Sequence, residues 1–186
     1  PLVAATGSQM ANAAVASVVF DRQWKNDSDE HHLEAGFGFR AGTRNLESDL
    51  DYRRYLGQGA YRYDFGRHHV RASGMAGGLT GTAPIFERFT LGDSITLRGW
   101  DKYDIAPAGA DRMFHTSVEY CYTGVALFLD VGSVWDAGSE RQVRVSTGFG
   151  LYAGPAFLVV GFPLNTDNLT PVVTLGLRFR GLGLRW

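Results

Sequence analysis

Residues 114–132 read FHTSVEYCYTGVALFLDVG, and this stretch decides the fold. On both sides of the Thr123-Gly124 dipeptide, every second side chain is apolar or aromatic, and those between are small or polar, with Thr116 and Phe128 as the exceptions. Because side chains of a β-strand point alternately to opposite faces, the pattern predicts two antiparallel strands joined by a two-residue turn. Glu119 and Asp130 fall on the polar face of this predicted hairpin.

The same period of two recurs about nine times along the chain. Such runs, bounded by turn-forming residues, are typical of strands, and the 24 glycines among 186 residues disfavour helices. The expected fold class is therefore all-β, with eight to nine antiparallel strands in a single domain over residues 1–186. The strands are expected near residues 14–23, 33–40, 61–65, 70–74, 114–122, 125–132, 143–152, 156–164 and 172–179.

Short and long connections alternate along the chain. The short ones are Gly66-Arg67, Thr123-Gly124 and Gly154-Pro155, and the longer ones span residues 43–51, 80–111, 137–142 and 165–170. Because consecutive antiparallel strands run in opposite directions, all short turns should lie at one end of the sheet and all long connections at the other. The connection over residues 80–111 is long enough to indicate a functional loop.

The two faces of the predicted strands distinguish two classes of barrel. A soluble barrel or sandwich buries its apolar face, whereas a transmembrane barrel turns an apolar band edged by aromatic residues toward lipid and has a polar interior. In this chain Tyr and Trp residues lie toward strand ends, and the polar face carries charged side chains. These are Arg62, Arg71, Glu119, Asp130, Arg144 and Arg178. The pattern favours a transmembrane β-barrel in a lipid bilayer.

Charge and cysteine content exclude several other classes. The chain has 18 Lys and Arg against 19 Asp and Glu, for a formal net charge of −1, so nucleic acid is not an expected partner. A single cysteine, Cys121, excludes an internal disulfide framework and a multi-cysteine zinc site, and no metal or cofactor is expected. Since the chain opens at Pro1 without a signal segment, we expect a processed form or an excised piece.

The long loop carries a distinctive motif. Residues 86–100 read FERFTLGDSITLRGW, so that Leu91-Gly92 precedes a terminal Leu97-Arg98-Gly99-Trp100. Together with the two strands that follow, this segment resembles the outer-membrane assembly factor superfamily, the bacterial surface antigen type that includes BamA, TamA and the two-partner secretion transporters. The resemblance covers essentially the whole chain as the C-terminal portion of the family barrel.

The resemblance implies a role for the tip of this loop. In the family, a long extracellular loop folds into the barrel, and its tip arginine is held by acidic residues of the next two strands. By this likeness Arg98 is expected to contact Glu119 and Asp130, both of which the alternation also puts on the polar face. A guanidinium in a protein-lined interior needs charge-assisted partners, which two carboxylates on neighbouring strands supply. Gly99 permits a sharp turn, and Trp100 stands where Phe or Tyr is commoner.

The function implied by the resemblance is assembly, insertion or translocation of client polypeptides at the bacterial outer membrane, without enzymatic activity. Clients would add to a seam between the first and last strands by β-augmentation, to which this chain contributes a last strand near residues 172–179. Family barrels usually have sixteen strands and N-terminal periplasmic domains. Nine strands therefore imply a fragment, a reduced relative or one part of a homo-oligomeric barrel. An aromatic C-terminal residue forms part of the family's insertion signal, and Phe179 and Trp186 are both candidates.

Two other functions stay open. Charged interior residues would suit a passive pore, although a loop inside the barrel would restrict its conductance. Some family barrels are C-terminal translocators of patatin-like lipases. Because the sequence contains no Gly-x-Ser-x-Gly motif, such a lipase activity would have to lie in another domain.

The histidines are the remaining candidates for catalysis or metal binding. His31-His32 and His68-His69 are adjacent pairs whose side chains should point to opposite faces of a strand, so neither pair is expected to chelate one metal ion. We interpret both pairs as turn residues. His115, Ser117 and Glu119 share one face, but successive positions on that face lie about 7 Å apart, which is too far for a hydrogen-bonded catalytic triad.

Overall fold

The computed structural model describes residues 10–93, 95–167 and 169–177, which form one antiparallel sheet of nine strands. The all-β fold class predicted from the sequence is confirmed. One four-residue helix, α1 (Lys102–Ile105), and two 3-10 turns (Arg44–Leu46 and Ile85–Glu87) lie in the connections. The strands are β1 (Ala14–Asn26), β2 (Asp29–Gly42), β3 (Tyr52–Phe65), β4 (His68–Gly81), β5 (Arg112–Tyr122), β6 (Val125–Trp135), β7 (Arg144–Ala153), β8 (Ala156–Pro163) and β9 (Val172–Leu177).

Every strand pairs with the next strand along the chain, so the order in the sheet is the order in the sequence. In the hairpin of β5 and β6, Thr123 and Gly124 have φ angles of 45° and 88°, which give the turn the twist of its flanking strands. Short turns also join β1 to β2, β3 to β4 and β7 to β8. They all lie at one end of the sheet, and the long connections lie at the other.

Several strands are longer than the sequence predicted. β3 has 14 residues, because residues 52–60 pair fully with β2 and β4 although Arg and Gly interrupt their apolar alternation. Strand pairing satisfies the backbone groups there, and it overrides the weak local pattern. The interpretation of the two histidine pairs as turn residues is wrong: His31-His32 lie within β2, and His68-His69 begin β4, since the two-residue turns leave no room for them.

The two faces of the sheet differ in chemistry. The loop of residues 82–111 covers part of one of them, which we call the inner face. The opposite, outer face presents apolar side chains. Val18 and Leu175, on strands at opposite edges of the sheet, are 72% and 79% exposed on the outer face. An exposed surface this apolar suits contact with lipid, as the transmembrane barrel prediction requires.

A row of neighbouring rings, stacked or tilted, crosses the outer face at the end with the short turns. It runs over five strands, β1 to β5, and neighbouring ring centroids lie 4.8–5.1 Å apart. The rings belong to Trp24, His31, Tyr63, Phe65, His68 and Tyr122. Aromatic side chains of this kind occupy the boundary between hydrocarbon and headgroups in transmembrane barrels. We call this row the aromatic belt.

The buried core lies between the loop and the inner face. It is an apolar cluster to which both the loop and the strands contribute, and its members are Leu50, Tyr52, Leu79, Phe89, Leu91, Leu97, Trp100 and Met113. Glycine makes room for it: a Cβ atom at Gly77 would lie only 2.5 Å from the ring of Phe89. The loop is therefore part of the packed interior, and its apolar side chains bury apolar side chains of the inner face.

The sheet is open over the described residues, with β1 and β9 as its two edges. No helix among these residues is both long enough and apolar enough to cross a bilayer. The two candidates for the insertion signal, Phe179 and Trp186, lie outside the described residues, as does the end of the predicted last strand.

Candidate functional site on the inner face

The candidate site is the tip of the long loop, which we define as residues 97–100, together with the strand residues that it contacts. The side chain of Asp93 accepts hydrogen bonds from the main-chain N–H groups of Ile95 and Thr96, at 2.8 and 2.7 Å, and so tightens the turn before the tip. Leu97 and Gly99 have positive φ angles of 48° and 99°. This tight backbone brings the tip against β5, β6, β7 and β8.

Arg98 is held on the inner face by the two carboxylates expected from the sequence. Its Nε and Nη2 atoms donate to the two oxygens of Asp130, each at 2.9 Å, and its Nη1 donates to Glu119 Oε2. Ser117 Oγ accepts a further bond from Nη2 at 3.1 Å and itself donates to Asp130 at 2.6 Å. We call Arg98, Ser117, Glu119 and Asp130 the tip cluster.

The tip cluster is largely buried and densely hydrogen-bonded. Asp130 is fully buried, and Arg98 is 9% exposed with its guanidinium 3.6 Å from the ring centroid of Phe128. The main-chain N–H of Arg98 also donates to Asp130, at 2.9 Å. Burial by itself lowers the pKa of Arg98, but hydrogen bonds and Coulombic attraction from Asp130 and Glu119 outweigh burial and raise it. Arg98 thus keeps its charge against the two carboxylates.

The other tip residues fix the backbone against the strands. The main-chain N–H of Leu97 donates to His115 Nε2 at 3.0 Å, and Trp100 Nε1 donates to the carbonyl of Val145 at 3.1 Å. A Cβ atom at Gly161 of β8 would lie 2.5 Å from the nitrogen of Gly99. Two glycines therefore allow direct backbone contact between the tip and β8.

His115 and Ser117 are not arranged as a catalytic base and its nucleophile. His115 Nε2 accepts from the backbone of Leu97, and the Ser117 hydroxyl donates to Asp130. Each group thus serves to hold the loop, and the arrangement binds a guanidinium and a backbone turn.

The sequence matches a known protein family over most of its length. Residues 23–179 match the family model described as the Omp85 superfamily domain. The chain belongs to the Omp85 superfamily. It is 31% identical, over 108 residues, to the outer membrane protein assembly factor BamA of Nitratidesulfovibrio vulgaris; the match covers 46% of this chain and 14% of that protein. Membership places this chain in the bacterial outer membrane, where its apolar outer face meets the bilayer.

A second cluster anchors the base of the loop in this Omp85 chain, and sequence reasoning missed it. Glu87, only 4% exposed, accepts from Arg40 Nη1 at 2.5 Å and from the hydroxyl of Tyr52 at 3.1 Å. Arg54 Nε donates to the main-chain carbonyl of Glu87 at 2.9 Å, and its guanidinium lies 4.3 Å from the ring centroid of Phe89. We call Glu87, Arg40, Tyr52 and Arg54 the base cluster.

A further contact joins the Omp85 loop to the end of β6. Arg88 Nη2 lies 2.5 Å from Asp136 and also donates to the carbonyl of Gly109, at 3.0 Å, so it connects the two ends of the loop. Glu87 and Arg88 both belong to the quoted segment FERFTLGDSITLRGW. A charged pair beside two phenylalanines was the signal in the sequence that could have indicated this anchoring.

One group of described residues in this Omp85 chain offers three metal-ligand atoms. His32 Nε2, on the inner face, lies 3.2 Å from Asp21 and 3.2 Å from Glu34, and both carboxylates are half exposed. The imidazole ring thus lies within ion-pairing distance of both carboxylates. His69 makes a similar contact with Asp64, at 2.7 Å. His32 and His69 on the inner face are thus in contact with carboxylates, whereas His115 accepts from the main chain of Leu97.

Proposed function

We propose that this chain is the C-terminal portion of an Omp85 barrel that assists insertion or translocation of client polypeptides at the outer membrane. The observation that carries the proposal is the docked loop, with Arg98 buried against Asp130 and Glu119. A passive pore needs an open lumen, whereas this loop lies across the inner face and is anchored to it. The curated relative, which this chain covers over 14% of its length, is named as an assembly factor for outer membrane proteins.

The mechanism we propose uses strand pairing and no covalent chemistry. A sheet edge offers unpaired backbone N–H and C=O groups, to which an extended client segment adds as a new strand. β9 would supply the edge on one side of the seam. The loop would hold the inner face in shape while that edge opens, so that the other strands keep their register.

In this mechanism Arg98 is a positioning residue. Its guanidinium connects the loop to β5 and β6 through Glu119 and Asp130, and a planar five-donor group matches two carboxylates better than an ammonium does. Removing it leaves two buried or half-buried carboxylates without their cation, which costs about 3–5 kcal/mol in comparable buried pairs. The expected result is a loop released from the inner face.

The test is client assembly in cells that depend on the full-length protein carrying Arg98→Ala. We expect reduced levels of heat-modifiable outer-membrane client proteins, while Arg67→Ala, in an exposed two-residue turn, leaves them unchanged. Arg98→Lys retains the charge and separates a folding failure from a failure of loop docking. Normal client levels together with raised single-channel conductance in Arg98→Ala would overturn the proposal and indicate a plugged pore.

A further inference from the structure

The base cluster contains an unfavourable pair of charges. Arg40 on β2 and Arg54 on β3 are direct register partners on the inner face. Like charges placed opposite each other on neighbouring strands destabilise a sheet. The Glu87 carboxylate approaches both guanidinium groups, at 2.5 Å from Arg40 Nη1 and 3.8 Å from Arg54 Nε. Glu87 therefore neutralises a repulsion that the strands cannot relieve by themselves.

The base cluster reverses the charge pattern of the tip cluster. At the tip, one loop arginine lies against two strand carboxylates, Glu119 and Asp130. At the base, one loop carboxylate lies against two strand arginines. Because exchanging the two ends would oppose like charges at both clusters, the loop can dock in one orientation only. The two anchors lie on different hairpins, β2 with β3 and β5 with β6, so the loop crosses the inner face between them.

We propose that Glu87 is a second positioning residue of the loop: by joining β2 and β3 to its base, it determines whether the Arg98 tip stays docked. The contacts are made by a buried side chain and by the backbone carbonyl of the same residue, so both parts of Glu87 are fixed. Phe89, two residues on, continues the anchor by packing on Arg54 and over Gly77. The loop is thus held at two points.

The test measures loop release directly in the full-length protein folded in detergent. In a background in which native cysteines, Cys121 included, are replaced, a cysteine at Leu91 reports on the loop segment between the two anchors, where the native side chain is 2% exposed. We expect Glu87→Gln to raise its rate of maleimide modification about tenfold, because local opening exposes it. A cysteine at Ala126, fully buried on β6, should keep its slow rate and so exclude global unfolding.

A second variant separates positioning from general stability. Adding Arg40→Gln to Glu87→Gln removes the repulsion between the two strand arginines, so the modification rate at position 91 should fall back toward the wild-type rate. Glu140→Gln, at an exposed carboxylate in the connection between β6 and β7, is the matched control and should have no effect.

The proposal is overturned if Glu87→Gln leaves the rate at position 91 unchanged, if the rate at position 126 rises in parallel, or if the double variant does not react more slowly than Glu87→Gln alone. It goes beyond the proposed function, and no client takes part in the measurement. A failure of client assembly and a failure of this anchor are therefore distinguishable.

Discussion

Two buried side chains of the inner face, Asp130 and Ser146, face each other across β6 and β7 and differ in their hydrogen bonding. Both are fully buried and are register partners. Asp130 accepts from Arg98 and Ser117, whereas Ser146 Oγ has no hydrogen-bond partner within the described residues. Since an unpaired buried polar group costs free energy and a paired one contributes it, substitutions at these neighbours should have opposite effects.

Asp130→Asn should strongly destabilise the tip. The amide keeps the shape of the side chain but loses the charge that Arg98 requires, so one buried cation is left with a single carboxylate, that of Glu119. We expect a loss of about 3 kcal/mol in the free energy of unfolding. Urea denaturation of the folded protein in detergent measures it, and an unchanged midpoint would contradict our account of the tip cluster.

Ser146→Ala should be neutral or stabilising, by up to about 1 kcal/mol, because it removes a buried hydroxyl that lacks a partner. The same denaturation experiment checks this variant, and it serves as the matched neighbour for Asp130→Asn. A clear loss of stability would indicate that the hydroxyl has a partner beyond the described residues.

At the scale of elements, the tip and β8 approach so closely that neither has room for a side chain at the point of contact. Gly161→Ala would put a Cβ atom 2.5 Å from the nitrogen of Gly99 and 2.7 Å from the carbonyl carbon of Arg98. Because backbone cannot yield as a flexible side chain does, we expect a cost of about 1–3 kcal/mol and faster modification of a cysteine at position 91. Gly78→Ala on β4, where a Cβ atom meets nothing within 4 Å, is the control. Equal behaviour of the two variants would exclude close contact at β8.

The strand elements were largely predictable from sequence because alternation of side chains depends only on local order. β5 and β6 alternate so regularly that their turn and faces followed from residues 114–132 alone. The first half of β3 was missed because Arg53, Arg54 and two glycines break the pattern, and only its neighbours on both sides hold it in the sheet. Pairing with distant strands leaves no local signal.

The two loop anchors differ in how far the sequence could reveal them. Arg98 was expected to meet Glu119 and Asp130 because a family resemblance connects the three positions. Glu87 contacts Arg40, which lies 47 residues earlier in the chain, and no periodicity relates the two. A contact of that range depends on how the strands and the loop come together in the folded sheet, which no local pattern records.

For the whole molecule, the open sheet leads to a prediction about mass. In lipid, every backbone N–H and C=O group must find a partner, and over the described residues β1 and β9 leave theirs unpaired at the edges. We expect the native protein extracted from outer membranes to migrate as a heat-modifiable species much larger than the 20.4 kDa of this chain. Gels of boiled and unboiled samples, probed with an antibody to this chain, measure the size of this species. A heat-modifiable band near 20.4 kDa would instead mean that nine strands close by themselves.

The two anchors also differ in where their partners lie along the sequence. Both arginines of the base cluster precede Glu87, by 47 and 33 residues, whereas the acidic partners of Arg98 follow it, by 21 and 32 residues. Docking of the base therefore needs only β2 and β3, which precede the loop in the chain. Docking of the tip needs β5 and β6, which follow it. Because the tip also contacts β7 and β8, a docked Arg98 reports that the strands following the loop in the chain are in place.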